Sequence, residues 1–486
     1  MTHPLSQLEP KEVWNHFATL NAVPRPSKKE ERVIQFMLDF GNALGLPTLK
    51  DDVGNVIIKK PASAGYENRA TIVLQSHLDM VHQKNATTVF DFDQEGIKMF
   101  VDGDWVKAEG TTLGADNGMG VASIMAILAS KDIAHPAIEA LFTIDEETGM
   151  TGALGLKGGL LDGRILLNLD TEDDQELTIG CAGGIDVTGT RHYLKKDVPE
   201  GSAGLEIIVR GLTGGHSGMD IHLGRGNANK LMNRLLIEAH KVAHYEIATI
   251  DGGGLRNAIP RESKVTLAVL HDDKTALVNM IASFEKILKE EHRLTDPNLE
   301  VLVNEIPCPE KVLEKHFQIH LLQVIHVIPN GIFRMTPGIE GLVQSSNNLA
   351  RVLVKDGELS IQCLTRSSVD SEKMYLASII EEAFHLLGAV CEMKGSYPGW
   401  TPQPDATIVK LMSDVFEEVF QMKPHVNACH AGLECGILGT NYPGMQMISF
   451  GPNIRGAHSP DERVQISSVQ KYWKFLLQTL QRIPLK

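Results

Sequence analysis

Short apolar runs alternate with longer amphipathic ones through the first 185 residues. The runs VIIK (56–59), IVLQ (72–75), ALFTI (140–144), ILLNL (165–169) and LTIG (177–180) have the length and branched-aliphatic content of buried strands. GMGVASIMAILAS (118–130) reads as a helix. So does the stretch after Ser27, where Val33, Ile34, Met37, Leu38 and Leu44 recur at helical spacing. Ser27 with Glu30 has the form of a capping box, and Gly45 is a helix stop. This alternation predicts an α/β fold with a mostly parallel central sheet flanked by helices. In such sheets, sites gather beyond the carboxyl ends of the strands.

From 186 to 396 the pattern changes. Strand-like alternation runs through LEIIV (205–209), KVTLAVL (264–270), LARVLV (349–354) and ELSIQCL (358–364), with amphipathic helices at 274–290 and 370–386. This predicts an α+β insert. After SYPGW (396–400) the α/β pattern returns, with a helix near 405–421, a strand at MQMIS (445–449) and a last helix at 466–482. The simplest organisation is one catalytic domain made of 1–185 and 397–486, interrupted by a second domain of 186–396.

Composition narrows the function classes. A chain of 486 residues exceeds what one core supports. The net charge of -15 and the lack of a long Lys/Arg run speak against a nucleic-acid partner. No apolar run approaches the roughly 18 residues of a membrane span. The opening MTHPLSQLEPKEVW has no basic region followed by an apolar one, and the six scattered cysteines form no C-x-x-C. A cytoplasmic protein with reduced thiols and no membrane partner is expected.

Candidate chemistry lies at the strand ends. His77 and Asp79 follow IVLQ; two apart on an extended chain, they share a side. Asp116 sits in the Gly-rich turn TTLGADNGMG before a helix. Asp145, Glu146 and Glu147 follow ALFTI, Asp170 ends ILLNLD, and His458 lies in SFGPNIRGAHSPDE after MQMIS. Each alone is an ordinary polar residue. Gathered at one sheet edge, the carboxylates repel unless cations hold them. Two histidines with several carboxylates suit Zn²⁺, and their number suits two ions sharing a bridging carboxylate better than one tetrahedral ion. Adjacent Glu146 and Glu147 diverge in extended backbone, so one can ligate while the other stands beside the attacking water.

The blocks SHLDMV, GTTLGADNGMG, DEETGM, NLDTE, GGHSG and GAHSPDE resemble, in order, those of the co-catalytic zinc metallopeptidases that include aminoacylases, desuccinylases and dipeptidases. GCAGGID (180–186), LRNAIPRE (255–262), YPGW (397–400) and HAGLECG (430–436) resemble the dipeptidase branch. The resemblance implies that His77 and Asp170 bind one zinc, Glu147 and His458 the other, and Asp116 both, with a cis peptide at Asp116–Asn117. It implies that Asp79 orients His77, that Glu146 is the general base, and that His216 in LTGGHSG is the lid histidine donating to the oxyanion. Arg366 and Asn257 become candidates for holding the substrate's carboxylate end, while His430 and Glu434 are read as structural or substrate-orienting. The reaction so implied is hydrolysis of dipeptides with free termini, Xaa-His dipeptides such as carnosine included. The nucleophile would be a hydroxide shared by two Zn²⁺ per subunit, with Mn²⁺ or Co²⁺ as possible substitutes. The 186–396 insert becomes a lid through which a homodimer forms, with His216 acting within its own chain or on the partner.

The same residues admit three rival readings. A phosphate cradle at GTTLGADNGMG lacks a following G-K-[ST] and places Asp116 against the phosphate. A metal-retaining scaffold has no use for Glu146. An N-acyl-amino-acid amidohydrolase uses the same metals on another acyl group and remains the alternative.

Overall fold

A computed structural model describes residues 4–486. The chain divides into two units. The first comprises the chain up to Gly180, Trp400–Ala428 and Leu433–Lys486; the second comprises Cys181–Gly399 with Cys429–Gly432. The short Cys429–Gly432 segment has no counterpart in the expected boundaries.

The first unit is built on an eight-stranded sheet in the order Thr48–Lys50, Val56–Lys60, Ile138–Thr143, Ile72–His77, Ile165–Asn168, Gln446–Ser449, Glu176–Cys181, His425–Cys429. Its centre is parallel: Ile72–His77 lies between Ile138–Thr143 and Ile165–Asn168, and Gln446–Ser449 continues the parallel run. The flanking pairs are antiparallel, so the sheet is mixed rather than parallel to its edges. Every residue of the three central strands Ile72–His77, Ile138–Thr143 and Ile165–Asn168 is buried, which is why they read as continuous apolar runs. Helix Ala115–Ala129 packs on Ile72–His77 and against helix Lys11–Asn21. Gly120 permits that approach, since a Cβ there would meet Ser76 Oγ at 2.4 Å and the Leu169 carbonyl oxygen at 2.6 Å.

The expected early helix is present as Glu31–Ala43, but its capping box is not. Glu30 accepts from the Lys28 N–H at 2.8 Å instead of capping the helix, and the Ser27 hydroxyl donates to Asp79 Oδ2 at 2.8 Å. The helix starts at Glu31 with Glu30 at the cap position, so Ser27 lies ahead of the free N–H groups it would have to accept, and its hydroxyl donates to a buried carboxylate instead.

The second unit carries a nine-stranded sheet whose pairings are antiparallel, with Val343–Lys355 and Glu358–Ser367 at its centre. The expected helices appear as His271–Glu291 and Asp370–Leu386. Two more, Ala228–Ala239 and Lys315–Val327, were not anticipated. Asn227 caps the first of these, its side chain accepting from the N–H groups of Asn229 and Lys230. All four helices share one apolar core with the sheet. Among the described residues no helix is long and apolar enough to cross a membrane.

Candidate active site

In the first unit the strand ends bring His77, Asp116, Glu146, Glu147, Asp170 and His458 together. His77 Nε2 lies 3.2 Å from Asp116 Oδ1 and 3.5 Å from Asp170 Oδ1. His458 Nε2 lies 3.0 Å from Glu147 Oε2 and 3.5 Å from Asp116 Oδ2. The two oxygens of Asp116 thus face two different histidines. Donor atoms of His77, Asp116 and Asp170 fall within 4.8 Å of one another, as do those of Asp116, Glu147 and His458, and those of His77, Glu146 and Glu147. The turn that presents Asp116 begins at Gly114, whose φ of +70° favours glycine. The Asp116–Asn117 peptide is cis, and the Asn117 amide donates to the Asp170 carboxylate and to the Leu169 carbonyl.

Asp79 has a wider role than its spacing suggested. Its Oδ1 lies 3.3 Å from His77 Nδ1 and accepts from the Glu146 N–H at 3.0 Å. Its Oδ2 accepts from Ser27 Oγ and, at 3.3 Å, from the Glu147 N–H. One buried carboxylate therefore orients His77 and also pins the Glu146–Glu147 turn. Burial works against its charge, but hydrogen bonds from His77, the Glu146 N–H and Ser27 outweigh it and hold its pKa below the ordinary range. His77 Nδ1 has only acceptors near it, Asp79 Oδ1 and the Asp79 carbonyl at 3.2 Å. Nδ1 therefore keeps its proton, and Nε2, which faces the Asp116 and Asp170 carboxylates, offers a lone pair to a cation once its own proton leaves.

The electrostatics fit divalent cations. Burial raises Glu146 well above the ordinary carboxylate range, opposed by His77 and reinforced by Asp170, Glu434 and Glu147. Glu147 and Asp170 rise as well, chiefly through burial. Hydrogen bonds to Asp116 and Glu147 raise His458 to about 11. Burial opposes protonation of His77, yet Asp170, Asp116 and Asp79 together push its pKa well above the usual value. Protonated histidines thus supply the positive charge that the carboxylates require. Glu147 Oε1 remains buried with no hydrogen-bond partner. The five side chains His77, Asp116, Glu147, Asp170 and His458 offer only nitrogen and oxygen donors, a set suited to zinc and its neighbours.

The second unit gathers donors instead. His216 Nδ1 accepts the N–H groups of Gly218 and Met219 at 3.2 and 3.0 Å, so its proton sits on Nε2, free to donate. Burial and the Arg366 charge lower its pKa, keeping it neutral, against the pull of Asp220. The loop bearing it is tied at both ends by Asp296, which accepts the Thr213 and Gly226 N–H groups at 2.8 Å each. Arg366 is buried; its Nη1 donates to the Tyr397 hydroxyl at 2.8 Å and its Nε has no partner. Asn257 is exposed and its carbonyl accepts the Ser217 N–H at 2.7 Å.

His430 and Glu434, four residues apart, fall into different units. His430 lies 2.7 Å from Ser346 Oγ, and burial with the Arg366 charge drives its pKa down to about 3. Glu434 accepts from Gln75 and Thr143 at 2.7 Å each, and burial raises it to about 8. Neither belongs to a ligand set. Sequence reasoning missed Ser27, Tyr397, Arg25 and Glu462. Only Glu462 carried a readable signal, as an acid four residues after His458 within GAHSPDE.

The profile of peptidase family M20/M25/M40 matches residues 73–482. The chain is 42% identical over 482 residues to the cytosol non-specific dipeptidase of Escherichia coli (strain K12), covering 99% of both chains. Its structure superposes on the crystal structure of aminoacylhistidine dipeptidase from Vibrio alginolyticus with a TM-score of 0.95 and 41% identity, covering 100% of this chain and 99% of that one. The aminopeptidase PepT of Bacillus cereus shares the fold at a TM-score of 0.56 and 15% identity, over 98% of this chain and 99% of that one.

Proposed function

The chain belongs to peptidase family M20/M25/M40, and from that premise we propose that it is a metal-dependent dipeptidase cleaving dipeptides with free termini, Xaa-His dipeptides such as carnosine among them. The names of the two similar proteins support dipeptides over N-acyl amino acids as substrates. The cytosolic relative supports a cytoplasmic location. The observation that carries the reading is the division of Asp116 between two ligand pairs, Oδ1 toward His77 and Oδ2 toward His458.

In this reading His77 and Asp170 would hold one cation and Glu147 and His458 a second, with Asp116 serving both; we assign two Zn²⁺ per subunit. When bound, the cations supply Lewis-acid polarisation of the peptide carbonyl and acidify a water. The remaining work falls to side chains. Glu146 takes the proton of the attacking water and returns it to the departing amine. Burial and the neighbouring carboxylates raise its pKa, and Glu146 would regain its charge beside bound dications. Asp79 keeps His77 in the ligating tautomer. His216, through Nε2–H, donates to the oxyanion. Arg366 grips the substrate's terminal carboxylate, with Asn257 adding a hydrogen bond. A homodimer forms through the lid unit.

A substrate panel tests the reading. Dipeptides should be cleaved well, tripeptides and N-acetyl amino acids poorly; preference for the acetylated compounds would overturn it.

A further inference from the structure

Two buried ionisable side chains, Arg25 and Glu462, belong to neither candidate ligand set and are 1% and 2% exposed. A buried ionisable group persists only where hydrogen bonds or opposite charge offset its lost hydration. Glu462 is held by four consecutive peptide N–H groups. Its Oε2 accepts from Leu113 and Gly114 at 2.6 and 2.9 Å, and its Oε1 from Ala115 and Asp116 at 2.8 and 3.1 Å. Arg25 Nη1 donates to the carbonyls of Leu78 and Asp79 at 3.0 and 3.1 Å. Its Nη2 donates to the Gly114 carbonyl at 2.5 Å and to Asn21 Oδ1 at 3.0 Å. Burial lowers the Arg25 pKa only to about 10, with Glu462 foremost among the carboxylates opposing the drop, so Arg25 stays charged at neutral pH.

These contacts join three segments. Arg25 ties the end of the His77 strand to the Asp116 turn, and Glu462 ties that turn to the loop of His458. We propose that Glu462, with Arg25 as its counterpart, is a positioning residue that fixes Asp116 relative to His458 and so sets the geometry at which two cations share one carboxylate. The proposal rests on the di-metal reading above. A glutamine could not replace Glu462, because its amide nitrogen would face two N–H donors. The turn itself has no slack, since a Cβ on Gly114 would meet Arg25 Nη2 at 2.6 Å.

The test titrates metal-free Glu462→Gln with Co²⁺ alone, following the visible absorption of the ion and the heat of binding, and separates kcat from KM on a dipeptide. Leu480→Ala, a cavity variant in the last helix of the same unit, serves as the stability control. The expected result is a folded Glu462→Gln protein whose weaker Co²⁺ equivalent loses about 10- to 100-fold in affinity. Its Co²⁺ spectrum should change and kcat should fall more than KM rises, while Leu480→Ala melts earlier with unaltered Co²⁺ binding. If Glu462→Gln does not fold without metal, Glu462→Asp, which keeps the charge but shortens the reach by one methylene, should show the same weakening. Lowered melting with Co²⁺ affinities and spectrum like the unmodified chain would overturn the proposal. Two tight Co²⁺ equivalents with no dipeptide turnover in the unmodified chain would instead defeat the functional reading alone.

Discussion

His77 and His216 are the same side chain put to opposite uses, and the two units differ in the same way. In the first unit both ring nitrogens of His77 meet only acceptors: Nδ1 keeps its proton against Asp79, and Nε2 faces the carboxylates of Asp116 and Asp170, where a cation can take the place of its proton. In the second, Nδ1 of His216 takes two backbone N–H groups, so Nε2 becomes a donor in a cluster with Arg366. A carboxylate behind a ring makes a ligand; a backbone turn behind it makes a donor. One unit thereby gathers carboxylates around its histidine, while the other sets a neutral ring donor in the field of a buried Arg366.

The comparison breaks most severely at the base. Glu146→Ala should keep its metal content by elemental analysis and lose about 10²–10⁴-fold in kcat on dipeptides. Retained turnover would remove Glu146 from the mechanism. Next comes the orienting carboxylate. Asp79→Ala frees the His77 ring and the Glu146–Glu147 turn together, and metal affinity measured by chelator competition should fall about 10- to 100-fold.

On the donor side, Arg366→Ala should raise KM for dipeptides by roughly 10- to 100-fold, the worth of a charged hydrogen-bonding pair. C-terminally amidated dipeptides, lacking the carboxylate, should respond far less. A similar loss on both substrates would show that Arg366 acts through packing.

Proton release sharpens the contrast further. In the metal-free chain His458, raised to about 11 by Asp116 and Glu147, and His77 both carry protons at neutral pH. A cation needs their lone pairs, so binding expels protons and apparent affinity must rise with pH across about pH 6 to 8. Calorimetry in buffers of different ionisation enthalpy measures the protons released. His216, lowered by burial, should contribute nothing to that count.

The smallest effect concerns the loop of His216. Asp296 ties both its ends, so Asp296→Ala should cost about 1–3 kcal/mol of stability. Hydrogen bonds to Asp296 depress its carboxyl to about 2 against the opposing effect of burial. Because the folded pKa is the lower one, this stabilisation is present above the ordinary carboxylate range and is lost as pH falls through about 2. The melting temperature of Asp296→Ala should therefore converge on that of the unmodified chain in acid.

The gathering of His77, Asp116, Glu147, Asp170 and His458 was legible in the sequence because strand ends announce themselves, whereas their ligand roles came from the resemblance. A run of buried aliphatics that stops at His77 or Asp170 says where those side chains stand, and the parallel centre of the sheet delivers them to one edge. What could not be read was support between distant segments. Ser27 imitates a capping box while bonding Asp79, 52 residues away. Glu462 reaches the Asp116 turn across 346 residues, and no local spacing encodes that. In the second unit the helix Ala228–Ala239 did carry a signal, Asn227 before a periodic apolar stripe, whereas the donor role of His216 depends on a backbone turn visible only in three dimensions.

The sharing of two cations across Asp116 is tested most directly by titrating the metal-free chain with Zn²⁺ while following carnosine hydrolysis. Activity should appear in step with metal and saturate at two equivalents per chain. Full activity at one equivalent, or turnover in the presence of excess chelator, would contradict the shared two-cation site.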